Sequence, residues 1–365
     1  MTPSHPIYVT QPSLAPLEEF LPYLRQIWKT GVMTHNGPLL QQLERELAGL
    51  FRVPDVVCVA NGTCAMQVAI RALDLEGEII TTPFTFIATA NIISWERCVP
   101  VFVDVEPATW NINPDLIEAA ITPKTTGILP VHVFSRPCEL MRIEAIARRH
   151  GLKVVYDAAH AVGVNVGGRS IMSYGDVSCA SFHATKILNT CEGGACVSAD
   201  PALMARMRRM RFFGFDEKKD IVDEGMNAKM TEISAALGLA NLPHLPAVMD
   251  ERRRKYKLYQ QILSACPHVT FQHFQPDEYN YSYMPVLFDT EDRLLAIEQA
   301  LKEAQVSPRR YFHPSLHDVA IFGTKGEFPV SRRMASCILC LPLYTGLPET
   351  DIERICEIVA KFRSV

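Results

Sequence analysis

The chain has no window approaching the ~20 uninterrupted apolar residues that a membrane-spanning helix needs. Its first residues, MTPSHPIYVTQP, have neither the basic start nor the apolar run of a secretory leader. Membrane insertion and export are therefore not expected. Charge of one sign is also lacking: 36 Lys+Arg against 40 Asp+Glu leave a net charge of -4 with no basic stripe, so a nucleic-acid backbone is a poor partner. Small molecules or another protein remain. Metal ligation has little to stand on, since the histidines are scattered without an HExxH. The only CxxC, Cys337 to Cys340, lies in SCILCLPLY, which reads as a buried strand. Eleven cysteines, an odd number in a chain without a leader, are expected to be mostly small buried thiols in a reducing cytoplasm. Internal repeats and low-complexity tracts are absent.

What is present is alternation. At 365 residues the chain exceeds what one core usually organises, and two units are expected: an N-terminal segment with a large domain over 1–243, and a small C-terminal domain over 244–365. Apolar, β-branched runs alternate with helical periodicity from about residue 39 to 240, the pattern of an α/β domain with a largely parallel sheet. The expected strands are VVCVA from Val56, EIITT from Glu78, VPVFVDV from Val99, GILPVHVF from Gly127, LKVVYDA from Leu152, VSCASF from Val177 and GACVSA from Gly194. CAMQVAIRAL and ELMRIEAIARRH read as helices, and a new helical element is expected from Glu251. The last ~115 residues, with strands near Val269, Ser282 and Cys337 and helices near Thr290 and Glu349, read as an α+β unit.

Three stretches carry chemistry. In ANGTCAMQVAIRAL a strand stops at Asn61, Gly62 and Thr63 and a helix begins at once, an arrangement that cups an anion; it is equally an Asn-Gly turn with Thr63 as N-cap. LKVVYDAAH ends an apolar run in Asp157, with His160 three residues on. An acid there is either held in a site at the sheet's carboxyl edge or caps a helix. Lys186, in SFHATK, stands among small and apolar residues, its nearest formal charges in sequence being Asp176 and Glu192. It is either a solvated amine or a partly desolvated one, which loses proton affinity and becomes a nucleophile toward an aldehyde. An acid that can keep a pyridine nitrogen protonated, a phosphate cup and such an amine together suit pyridoxal 5'-phosphate (PLP).

PFTFIATAN, PVFVDVEP, YDAAHAVG, SFHATK, EGGA and GMNAKMTEISAALGLANL, in that order and spacing, resemble the DegT/StrS family of PLP-dependent sugar-nucleotide aminotransferases across nearly the whole chain. The resemblance implies a fold-type-I, aspartate aminotransferase-like α/β architecture: a large mixed, mostly parallel sheet domain and a small α+β domain. Lys186 matches the Schiff-base lysine, Asp157 the acid on the pyridine nitrogen, and His160 the neighbour of the cofactor's phenolic oxygen. Gly62 and Thr63 match the phosphate cup and Ser181 its hydroxyl donor. Phe86 takes the position of the aromatic that stacks on the ring, core packing being the alternative. Asn227 matches a residue that reaches the cofactor phosphate of the other subunit, implying a homodimer with shared sites; otherwise it is a turn residue before a helix.

Because lysine is kept at 186, where dehydrating relatives carry histidine, the resemblance implies transamination. L-glutamate is the expected donor, and the acceptor a nucleotide-linked keto sugar, with dTDP-4-dehydro-6-deoxyglucose, aminated at carbon four, foremost. Another nucleotide or ring position, a carbocyclic ketone, and a PLP-binding regulator without turnover stay open. Sugar and nucleotide contacts are expected near Thr34 to Pro38 and Arg309 to His317, although Tyr311 and His317 also suit core or hinge positions. Two stretches depart from the family: Ser135 and Arg136 stand where relatives commonly carry Gly and Asn, and ISWERCVPVF lacks the glycine that often precedes the Pro-Val-Phe strand. Cys191, before the glycine pair, reads only as a small buried side chain.

Overall fold

The computed structural model describes residues 6–324 and 326–362, so residues 1–5, 325 and 363–365 of the expected domain ranges lie outside it. Seven short apolar runs form one sheet: β1 (Val57–Val59), β2 (Glu78–Thr81), β3 (Val99–Phe102), β4 (Thr125–Ile128), β5 (Lys153–Asp157), β6 (Val177–Ser181) and β7 (Gly194–Val197). Their spatial order is β1-β7-β6-β5-β4-β2-β3. Strands β2 to β6 run parallel to one another, and β7 is antiparallel to both β1 and β6, so the sheet is mixed and mostly parallel, as expected.

Such strands must bury both faces, and alternation along each shows how. Cys58, Val154 and Tyr156 pack on the side of the helix Pro38–Phe51, through Leu39, Leu43 and Leu47. Val57, Val59 and Val155 pack on the opposite side, against the helices Gly62–Ala72 and Pro201–Met210.

GILPVHVF departs from expectation. The continuous strand ends at Ile128, because Pro130 has no N–H to give to a ladder, and beyond it only an isolated bridge from Val131 to Asp157 remains. Val133–Ser135 turns instead, with Phe134 and Ser135 in the left-handed region (φ 54° and 79°). At Ser135, where relatives commonly carry Gly, the backbone is thus still one that glycine favours, whereas Arg136 is extended (φ -63°). Arg97, just before the Pro-Val-Phe strand, is also left-handed, with φ 61°.

A helix over Leu245–Leu263 then leaves the large sheet; it starts at Leu245 rather than Glu251, with Pro246 in the first turn, where a missing N–H costs nothing. Beyond it, β8 (Val269–Thr270), β9 (Met284–Phe288) and β10 (Ile338–Leu341) make an antiparallel sheet in the order β8-β9-β10. Helices Glu291–Glu303 and Glu349–Ala360 share its core through Leu294, Ile297, Ile352 and Ile355. Ile7–Tyr8 pairs in parallel with Val306–Ser307, so the first described residues join this second unit. Nine cysteines are buried and none is bridged, whereas Cys191 is exposed in a left-handed conformation (φ 68°), against the reading of a buried side chain. Among the described residues no helix is long and apolar enough to cross a membrane, and no cluster of His, Cys, Asp and Glu could hold a metal ion.

Candidate active site

Parallel strands deliver their carboxyl ends to one edge, and there the structure gathers the chemistry. β5 ends in Asp157, β6 ends in Ser181, and β7 starts beside them because Gly194 pairs with both Ser181 and Val59. A side chain at Gly194 would place its Cβ 2.5 Å from the Asn61 carbonyl, and one at Gly62 would place its Cβ 2.9 Å from Ser181 Cβ. Glycine at both positions lets the helix start Gly62–Ala72 sit directly against the strand ends. The cap is Asn61, not Thr63: its side chain accepts from the Cys64 amide at 2.8 Å. Gly62 and Thr63 therefore occupy the first turn, where helix amides have no intrahelical acceptor.

Asn61, Gly62, Thr63, Asp157 and Ser181 line a cavity of about 460 Å³ together with Phe86, His160 and Lys186. Seven of the eight expected site residues thus meet in one place. The exception is Asn227, exposed and engaged by Lys229 Nζ outside this cavity. The two phenylalanines of PFTF divide the alternatives between them. Phe84 is fully buried, edge-on to Phe134 and Phe312, whereas Phe86 is 50% exposed over the cavity.

The electrostatics follow from burial. Asp157 accepts from Thr89 Oγ1 (2.9 Å) and from the Ala159 amide (3.1 Å). Desolvation nevertheless holds its carboxyl above the ordinary range, opposed by these two bonds and by the Lys186 charge. Lys186 feels the same burial from the other side, its amine pulled down to about 8 with Asp157 opposing. The buried His160 ring is kept neutral, its pKa driven well below the usual value by desolvation and by Lys186. Its Nδ1 accepts from the Phe134 amide at 3.2 Å, which leaves the ring proton on Nε2.

Three partners escaped the sequence. Thr89, on the helix Ile87–Trp95, orients Asp157; Thr85, 2.9 Å from Thr89 Oγ1, continues the chain of hydroxyls. Tyr283 accepts a hydrogen bond from Lys186 Nζ at 3.1 Å. Of the segment Arg309 to His317, Arg309, Tyr311 and Phe312 line the cavity. His317 instead turns inward, its Nδ1 sharing a hydrogen bond with Ser315 Oγ (2.8 Å) beside Phe328. His35 and Asn36, from the Thr34–Pro38 stretch, line a different cavity of about 640 Å³ with Arg208, Phe212 and Lys229.

Residues 16–360 match the model of the DegT/DnrJ/EryC1/StrS aminotransferase family. The chain belongs to this family. The DegT/DnrJ/EryC1/StrS enzymes are PLP-dependent aminotransferases, and so is this chain. It is 39% identical over 364 residues (98% of this chain, 99% of the relative) to dTDP-4-amino-4,6-dideoxy-D-glucose transaminase of Shigella dysenteriae. Among solved structures, DesI in the presence of its TDP-sugar product is 35% identical with a TM-score of 0.94, covering 99% of this chain and 94% of that one. NtdA of Bacillus subtilis with bound cofactor PMP is 27% identical with a TM-score of 0.88, covering 95% of this chain and 82% of that one. The residues present fit PLP on their own chemistry. A glycine cradle that no Cβ could share adjoins a helix start, a buried carboxylate stands at one strand end, and an amine of lowered pKa stands beyond the next.

Proposed function

We propose that the chain moves an amino group from L-glutamate to carbon four of dTDP-4-dehydro-6-deoxyglucose, forming dTDP-4-amino-4,6-dideoxyglucose. The observation that carries the chemistry is the Lys186 amine, with a pKa near 8, in one cavity with Asp157. The sugar is supported by the transaminase from Shigella dysenteriae, whose likeness runs nearly end to end.

In this reading Gly62, Thr63 and Ser181 hold the cofactor phosphate, Phe86 covers the ring, and Asp157 keeps the ring nitrogen protonated. His160, a donor at Nε2, faces the phenolic oxygen. Bound PLP supplies the electron sink that lets a bond at the donor's α-carbon break. Lys186 Nζ removes the α-proton of glutamate and, in the return half-reaction, delivers a proton to the sugar carbon that gains nitrogen. Its pKa near 8 leaves enough neutral amine near neutral pH for both tasks. Asn227, exposed on one protomer, reaches the phosphate bound by a second, making a homodimer the working unit; both units of the chain, the large domain up to 243 and the small domain 244–365 with the strand Ile7–Tyr8 added to it, wall the site. We assign the reaction to the cytoplasm and to the supply of deoxyaminosugars for O-antigen-type glycans.

The test is the visible absorbance of the PLP-loaded chain. It is expected to fade with L-glutamate and return when dTDP-4-dehydro-6-deoxyglucose is added. Fading without return overturns the sugar assignment; no change with glutamate overturns the donor.

A further inference from the structure

Tyr283 has no part in the chemistry above, yet it is the one side chain among the described residues with a hydrogen bond from Lys186 Nζ (3.1 Å). Its ring is held on three sides: centroids lie 4.8 Å from His160, 5.5 Å from Phe134 and 5.7 Å from Tyr311. Behind it stands Arg252, 1% exposed, whose Nη1 donates to the carbonyls of Ser282 and Leu343 (3.1 Å each). Arg252 Nε and Nη2 have no partner among the described residues, an unusual state for a buried guanidinium. It places a fixed positive charge on the Tyr283 side of the cavity, and Arg309 places another.

We propose that Tyr283 is a positioning residue for Lys186: it receives the amine whenever the amine is unattached and aims its lone pair at the donor's α-carbon. This rests on the role given to Lys186 above. The physical argument is one of direction. A lysine freed from a covalent link has four rotatable bonds and loses its place; one N–H spent on a fixed phenol oxygen restores it. The bond uses only one N–H, so once the ammonium has given up a proton the nitrogen can keep donating while its new lone pair stays available to take a proton. A phenolate would hold the amine as an ammonium, so the phenol must stay neutral, and burial raises its pKa well above neutral, with Arg252 and Arg309 opposing and Asp157 and Cys340 reinforcing the shift. The groups that face it, Lys186, His160, Tyr311, Arg252 and Arg309, include no carboxylate in contact that would draw the ammonium elsewhere.

Tyr283→Phe removes one oxygen and keeps the ring. In single turnovers of the PLP-loaded enzyme with L-glutamate, the half-reaction is expected to slow about tenfold, the scale of one hydrogen bond. The KM for glutamate should stay within about twofold, and the isotope effect with α-deuterated glutamate should grow, since proton removal becomes the slow step. A second readout needs no turnover. The pH midpoint for PLP capture by the cofactor-free chain should move lower in Tyr283→Phe, because the lost bond favoured the ammonium more than the amine. A wild-type half-reaction rate with an unchanged isotope effect and midpoint overturns the proposal. So does a fall of more than a few degrees in thermal midpoint, which would assign the hydroxyl to folding. If Lys186→Ala still turns over, the reading beneath fails instead; if Lys186→Ala is inert while Tyr283→Phe behaves as wild type, only the Tyr283 role falls.

Discussion

On one wall of the cavity, Asn61 to Thr63, Asp157, Ser181 and Lys186 sit at or just beyond the ends of strands in a single sheet. On the other, Tyr283, Arg309, Tyr311 and Phe312 arrive from a second unit. The first wall is placed by local rules, since a strand that ends in a polar residue delivers it to the carboxyl edge of the sheet. The second is placed by packing between units. Three tyrosines alternate in YNYSY, and nothing in the string separates them. Tyr279 and Tyr281 enter an aromatic cluster with Tyr256 and Phe274, and only Tyr283 reaches Lys186. The left-handed turn at Tyr281 (φ 58°) changes the chain's direction between them.

The contrast can be broken most forcefully at Lys186. Lys186→Ala is expected to lower the donor half-reaction by about 10⁴-fold, the upper range for a positioned proton-transfer group. Stopped-flow absorbance checks it. Asp157→Asn should cost about 100-fold in kcat while the fold persists, since a neutral amide can still accept from Thr89; steady-state rates and thermal unfolding measured together separate the two effects.

The PFTF pair sharpens the comparison between wall and core. Phe84→Ala should destabilise by about 3–5 kcal/mol, the cost of emptying a buried aromatic site. Phe86→Ala should cost under about 1 kcal/mol in stability while weakening PLP binding about tenfold. Urea melts and cofactor titrations distinguish the two, and equal losses of stability would contradict the assignment.

The pH dependence follows from Lys186. Its folded pKa is about 8 and the neutral amine is the nucleophile, so PLP capture by the cofactor-free chain should rise with pH. The rise should be about tenfold between pH 7 and pH 9 and then flatten, by simple titration. A rise of about 100-fold over the same interval with no flattening would show that the site does not depress this lysine. The smallest effect expected is at Arg97, exposed and left-handed just before β3. Arg97→Gly should raise stability by about 1 kcal/mol by removing the backbone penalty, readable as a higher thermal midpoint.

Much of this was legible in the string because it is local. The β-branched runs set the strands, and NGT marked the cup at a helix start. SFHATK and YDAAH put an amine and an acid beside strand ends. GILPVHVF misled because its apolar content hid the effect of Pro130 on pairing, and the cap fell to Asn61 because its side chain, not that of Thr63, lies outside the helix with its oxygen over the first turn. Thr34 to Pro38, expected near the sugar and nucleotide, lines a cavity apart from that of Lys186 through His35 and Asn36, because a loop's destination depends on what it packs against.

The sequence by itself determined the α/β alternation, the family, and the identities of the lysine and acid, since each is written in a short window by residue chemistry and spacing. Only the tertiary structure decided which phenylalanine faces the cavity, which hydroxyl orients Asp157 and which tyrosine holds Lys186. Those choices rest on contacts between segments 68 and 97 positions apart, where Thr89 meets Asp157 and Lys186 meets Tyr283. Such contacts are set by how layers pack and by what burial costs a charge, neither of which any single window contains.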